Sequence, residues 1–219
     1  MCKMCTDLYS DPRLNPRLAM DKSKVWKPGQ TIGITFLGGT QTQKDLTIRF
    51  AEEWLLYANL RFDWVGLLEG ANIRIAFQKG KGSWSYVGRD ALSINVPDPT
   101  MNFGWLEDET DDDEWSRTVK HEFGHMLGCV HEHQSPAAGI KWDLPALYKY
   151  YWETQSWSKE QVDFNIVQKY NRNISNTEFD RESIMLYPID QRFTLDQFEV
   201  GWNRQLSDTD KRFISEIYP

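Results

Sequence analysis

The sequence predicts an α+β fold, a sheet backed by a helix and followed by a half made of helix and loop. Two observations carry this. The first half reads as strand, helix and then several strands, an order that stacks a helix on a sheet. A second amphipathic helix follows near the middle, and beyond it strand patterns fade while capping signals persist.

The elements follow in chain order. TIGITFL (Thr31–Leu37) alternates and is β-rich, so it reads as a strand, closed by Gly38 and Gly39. From Gln43 to Asn59, residues Leu46, Phe50, Trp54 and Tyr57 recur at helical spacing, which predicts one long amphipathic helix. RFDWVG and NIRIAFQ read as strands with Gly70 between them. SWSYVGRDALSINV adds two short strands around Gly88 and Arg89. The acidic run EDETDDDE (Glu107–Glu114) does not have EF-hand spacing. It reads as a solvated loop whose last carboxylates sit at the positive end of the next helix. That helix spans about Asp113 to Leu127, with Trp115, Val119, Phe123, Met126 and Leu127 as its apolar stripe. SKEQ at Ser158 reads as a capping box ahead of Val162 and Ile166, and SDTD at Ser207 caps a final helix carrying Phe213, Ile214 and Ile217.

Composition narrows the function classes. The chain has 219 residues and a net charge of −7, which argues against a nucleic-acid partner, since such binding needs a basic face. No apolar run is long enough for a membrane span. Ten tryptophans are read as core and cleft-wall packing rather than as a stacking platform. Cys2, Cys5 and Cys129 do not make a disulfide framework, and Cys2 and Cys5 alone make an incomplete zinc site. Residues 1–23 are expected to be a loosely ordered extension with no visible secretory leader, and residues 24–219 one domain. Asn173-Ile-Ser175 fits a glycosylation sequon, a tripeptide common by chance.

The four histidines of the chain all lie within HEFGHMLGCVHEH (His121–His133). His121 and His125 are four apart on a helix, so both rings leave one face and can grip one zinc ion. Glu122 follows the first ligand and is aimed at a bound water. Catalytic zinc needs a third protein ligand and an open position. His131 is the candidate, because Gly128 can adopt the left-handed conformation that stops the helix and turns the chain back. Two satisfied histidines and an exposed third would be the reading for a lone histidine, and H-E-x-x-H alone, although it also occurs by chance, already leans to zinc. The number of matched positions in H-E-x-x-H-x-x-G-x-x-H favours zinc. His133 lies beyond the pattern and is read as lying behind the ligands or at the surface.

This string resembles the zinc-binding consensus of the metzincin metallopeptidases, and SIMLYP (Ser183–Pro188) resembles their methionine turn, with Met185 as its floor. Glu132 after the third histidine is as in astacins, and Tyr187 two residues after Met185 matches a tyrosine of astacins and serralysins. SYVGR (Ser85–Arg89) is similar to the astacin strand region upstream of the zinc helix. The resemblance covers about residues 24 to 219. It implies a zincin-like fold with a twisted mixed sheet, a backing helix, an active-site helix and an irregular helical lower subdomain. The upper subdomain would run to about residue 128 and the lower one from about 129 to 219, across a cleft with zinc at its floor. Ala91–Val96 would be the edge strand that aligns an extended peptide.

The implied function is zinc-dependent endopeptidase action on protein or peptide substrates by a monomer with one catalytic Zn²⁺. His121, His125 and His131 would hold the metal, with Tyr187 as an additional ligand at rest and an oxyanion donor later. Glu122 would be the general base, Met185 would pack beneath, and Glu132 would stand behind the ligands in an open role. The chain departs from astacins in lacking their paired disulfides. The resemblance points to secretion, although the sequence shows no leader. The rivals are a non-catalytic zinc-binding pseudoenzyme, which the presence of Glu122 disfavours, and a serralysin-like metzincin, which Glu132 disfavours.

Overall fold

The computed structural model describes residues 24–169 and 178–219. The expected extension 1–23, with Cys2 and Cys5, and the Asn173-Ile-Ser175 sequon lie outside those residues. Five strands form one mixed sheet in the order β2-β1-β3-β5-β4. They are β1 (Thr31–Phe36), β2 (Arg61–Trp64), β3 (Ile73–Ala76), β4 (Ser83–Ser85) and β5 (Met101–Phe103). The first four in that order run parallel, and β4 closes one edge antiparallel to β5, with Trp84 opposite Asn102.

Helix α1 (Gln41–Ala51) starts on a capping box in which Thr40 and Gln43 satisfy each other's backbone N–H groups. The single helix expected over 43–59 instead starts earlier and tightens into a 3₁₀ turn over Glu52–Leu56. Trp54 on that turn is buried, and its indole donates to the Lys120 carbonyl at 3.0 Å.

Helix α2 (Asp112–Met126) opens as the sequence implies. Asp111 caps it by accepting from Glu114 N, and Asp112, Asp113 and Glu114 occupy the positive first turn. Every residue from Trp115 to Met126 is buried, although many are polar. Burial of polar groups is tolerable only when they are paired. Lys120, with no exposed surface, pairs with Glu53 at 2.7 Å and donates to Gln205 at 2.5 Å. The last carbonyls of α2, which have no partner within the helix, also find donors. Trp26 Nε1 donates to Met126 O at 2.9 Å, and Tyr218 Oη to Leu127 O at 2.6 Å.

The main core joins Ile32 and Ile34 of β1, Ile73 and Ile75 of β3, Phe50 and Trp54, and the α2 stripe. Ile184, Met185, Ile214 and Tyr218 from the end of the chain belong to this same core. A second cluster gathers Leu147 and Tyr151 of α3 (Leu144–Gln155), Val162 of α4 (Lys159–Val162), Ile166 and Tyr187. The Ser158 capping box on α4 and the Ser207 capping box on α5 (Asp208–Ile217) are both formed. Among the described residues no helix is long and apolar enough to cross a membrane.

Two expectations are corrected. The second strand placed around Gly88 is a 3₁₀ turn over Gly88–Ser93, and the edge position expected for Ala91–Val96 belongs to β4. The reasons are local. Gly88 sits at φ +52°, where a Cβ would strike the Lys24 carbonyl, and Arg89 N donates to that same oxygen at 2.7 Å. The carbonyl of Ile94, which a strand would give to a neighbour, instead accepts from the buried Arg74 guanidinium at 2.9 Å, and the same guanidinium holds the Asp98 carbonyl at 2.6 Å. Strand β5 and helix α3 were not identified from the sequence.

Tyr218→Phe removes a hydroxyl that donates to Leu127 O and accepts from Trp26 N. Both partners are buried, and stranding such groups costs about 1–3 kcal/mol. The stability of the variant in chemical denaturation should fall by that amount, with an unchanged slope.

Candidate metal centre

Helix α2 brings His121 and His125 to one face, and the turn after it delivers His131. Gly128 has φ +100° and donates to His125 O at 2.8 Å, and Cys129 N donates to Gly124 O at 2.9 Å. These bonds end the helix with glycine in the left-handed region, as the sequence implies. The reversal also places the Cys129 carbonyl against His125, whose Nδ1 lies 2.9 Å from it. On the other side, His121 Nδ1 lies 2.8 Å from Ile184 O.

A carbonyl oxygen can only accept, so both Nδ1 atoms carry the proton and both Nε2 atoms present lone pairs. The three Nε2 atoms of His121, His125 and His131 form a triangle with every side 3.2 Å. At Zn–N lengths of about 2.0–2.1 Å, tetrahedral ligands stand roughly 3.3–3.4 Å apart. The triangle therefore fits one tetrahedral zinc ion. All three rings are buried. Burial, with repulsion from His125 and His131, pushes the His121 pKa well below its ordinary value, which keeps the ring in its metal-binding form.

The methionine turn lies under this triangle. Met185 O accepts from Glu132 N at 3.0 Å, which fixes the chain just beyond His131. A side chain at Gly124 on α2 would fall on the Met185 sulfur, so the close approach of turn and helix requires glycine there. Tyr187, two residues on, lies with its ring centroid 4.2 Å from His131, 4.7 Å from His133 and 5.8 Å from His121. Glu122 is buried beside His121.

His133 is a buried residue and not a surface one. Its Nε2 meets Asn165 O at 3.1 Å, and its ring stacks on Tyr187. Glu132 Oε1 accepts from Asp180 N at 3.0 Å. Burial raises its carboxyl pKa to about 8, against the opposing pull of that hydrogen bond. A cleft of about 990 Å³ opens beside Tyr187 and His133, with Trp142, Tyr150 and Phe193 among its walls. Sequence reasoning missed these three aromatics. They belong to elements that share no local pattern with the histidine motif.

A buried helix carrying two of three convergent imidazoles, with a methionine turn beneath them, defines the metzincin class of metallopeptidase. The profile of the peptidase family described as "Astacin" matches residues 19–218. Two solved structures of myroilysin are similar to the chain. One is 43% identical with a TM-score of 0.88, over 91% of this chain and 98% of that one. The other is 42% identical with a TM-score of 0.74, over 99% and 91%. High choriolytic enzyme 1, a hatching enzyme zinc-protease from the medaka fish Oryzias latipes, shares the fold at 17% identity. Its TM-score is 0.61, over 90% of this chain and 95% of that one. No curated protein sequence matches significantly. The chain belongs to the astacin family and is a zinc metalloendopeptidase.

Gly124→Ala should push Met185 off the helix. Overpacking a filled core costs about 1–3 kcal/mol. Chemical denaturation of the metal-free protein should show a loss in that range.

Proposed function

We propose that this endopeptidase works with one zinc ion held by His121, His125 and His131, with Glu122 as general base and Tyr187 as oxyanion donor. The observation that carries this reading is the 3.2 Å triangle of Nε2 atoms. Zinc there supplies a Lewis acid that lowers the pKa of water to about 7 and polarises a peptide carbonyl. Glu122 takes the proton of the attacking water and passes it to the leaving amine. Tyr187 would be an additional holder of the metal, and its phenol would donate to the oxyanion of the substrate. Met185 does no chemistry and supports the ligands from below.

The substrate is an extended segment of protein chain. Strand β4 offers it an antiparallel sheet edge, and β-strand addition would align it without regard to sequence. The cleft beside Tyr187 then selects among side chains. Its aromatic walls suit a large apolar residue. Arg192 on the same wall is held by Asp190 at 2.6 Å, which leaves that arginine a poor anchor for an acidic side chain. The protein acts as a monomer with a single resident ion.

Glu122→Ala should keep the fold and the zinc content while activity on casein falls by about 10²–10⁴-fold, the usual contribution of general acid–base catalysis. Parental activity in a zinc-loaded variant would contradict the assignment. A parent that binds zinc and cleaves no peptide would favour the pseudoenzyme reading. Tyr187→Phe should lower kcat by roughly ten- to a thousandfold with little change in KM, as expected for one lost oxyanion donor. Steady-state kinetics on one peptide, with zinc measured in both proteins, checks it.

A further inference from the structure

The methionine turn is itself held by a residue far along the chain. Asp210, in the first turn of α5, is nearly fully buried and collects three hydrogen bonds. Its Oδ1 accepts from Ser183 Oγ at 2.7 Å, and its Oδ2 accepts from Ile184 N at 2.8 Å and from Ser207 N at 3.0 Å. Ser183 Oγ in turn accepts from Met185 N at 3.1 Å. The same Ile184 whose N–H binds Asp210 presents its carbonyl to His121 Nδ1. One residue of backbone thus stands between the Asp210 carboxylate and a zinc ligand.

We propose that Asp210 is a positioning residue for the metal. By fixing both the Ser183 side chain and the Ile184 backbone it holds the Ile184 carbonyl where it selects the Nδ1–H form of His121 and aims Nε2 at the ion. The proposal rests on the zinc assignment made above. Partners behind a metal-ligating histidine set both its tautomer and its direction. Their loss costs about 10–100-fold in metal affinity. A carboxylate suits the task because all three groups facing it are donors. An asparagine could keep most of the geometry. Its oxygen would accept from Ile184 N and Ser207 N, and its NH₂ would donate to Ser183 Oγ.

Asp210 also has a structural part, since it belongs to the capping box that starts α5. Ser207→Ala separates the two roles. It removes the hydroxyl that caps α5 through Asp210 N and that donates to Asp180 Oδ2, and it leaves the Asp210 bonds to Ser183 and Ile184 in place.

The experiment measures the zinc dissociation constant of the metal-free protein by competition with a chromogenic chelator, with the thermal midpoint recorded in chelator as a check on folding. Asp210→Ala should bind zinc about 10–100-fold more weakly than the parent. Asp210→Asn and Ser207→Ala should stay within about threefold of the parent, the latter despite a lower midpoint. Ser183→Ala, which leaves the capping box of α5 in place, should weaken binding more than Ser207→Ala does, and it decides the matter if Asp210→Ala does not fold. A folded Asp210→Ala, or failing that Ser183→Ala, with parental zinc affinity overturns this proposal alone. A parent that takes up no zinc overturns the metal assignment and this proposal with it.

Discussion

Three imidazole nitrogens 3.2 Å apart, two of them unprotonated because their rings are tied to carbonyls, form an arrangement that a fold does not keep for its own stability. Lone pairs that face one another at that distance repel, and burial away from water makes the repulsion costly. A cation among them removes the penalty. Much of the rest of the structure serves to hold those three rings in place. The left-handed turn at Gly128 brings His131 under the helix and lays Cys129 O against His125. The methionine turn lays Ile184 O against His121 and fixes the backbone after His131 through Met185 O.

Helix α5 ties this arrangement together from the far end of the chain. At its start Asp210 holds the methionine turn, and just past its end Tyr218 satisfies the carbonyl of Leu127, the residue that caps α2. One short amphipathic helix therefore contacts both the segment beneath the three histidines and the terminus of the helix that carries two of them. Ile214, between those two points, lies in the main core beside residues of the sheet and of α2. The packing links the end of the sequence to its middle, so an error in docking α5 would reach the imidazoles directly.

What could be read in the sequence is what local chemistry encodes. The spacing of His121, His125, Gly128 and His131 is a statement about one helix and one turn, and both formed as that spacing implies. The capping boxes at Ser158 and Ser207 and the acidic start of α2 are equally local. The failures are contacts that span the chain. Ala91–Val96 alternates like a strand, but Arg74 on β3 takes the Ile94 carbonyl in its middle. Strand β5 is three residues long, too short for any period, and exists because β3 and β4 flank it. Helix α3 carries Tyr148, Tyr150, Tyr151 and Trp152, so aromatics on several sides blur its stripe. The link from Asp210 to Ser183 and Ile184 joins segments more than twenty residues apart, and no pattern in the sequence announces it.

X-ray absorption at the zinc edge, on protein purified without added metal and then titrated with zinc, tests the central claim most directly. The account predicts one ion per chain, with three imidazole nitrogens at about 2.0–2.1 Å and the outer-ring scattering of three histidines. Substituting His125 by alanine should remove one of the three. An ion bound without imidazole scattering, or no ion bound at one equivalent, would contradict it.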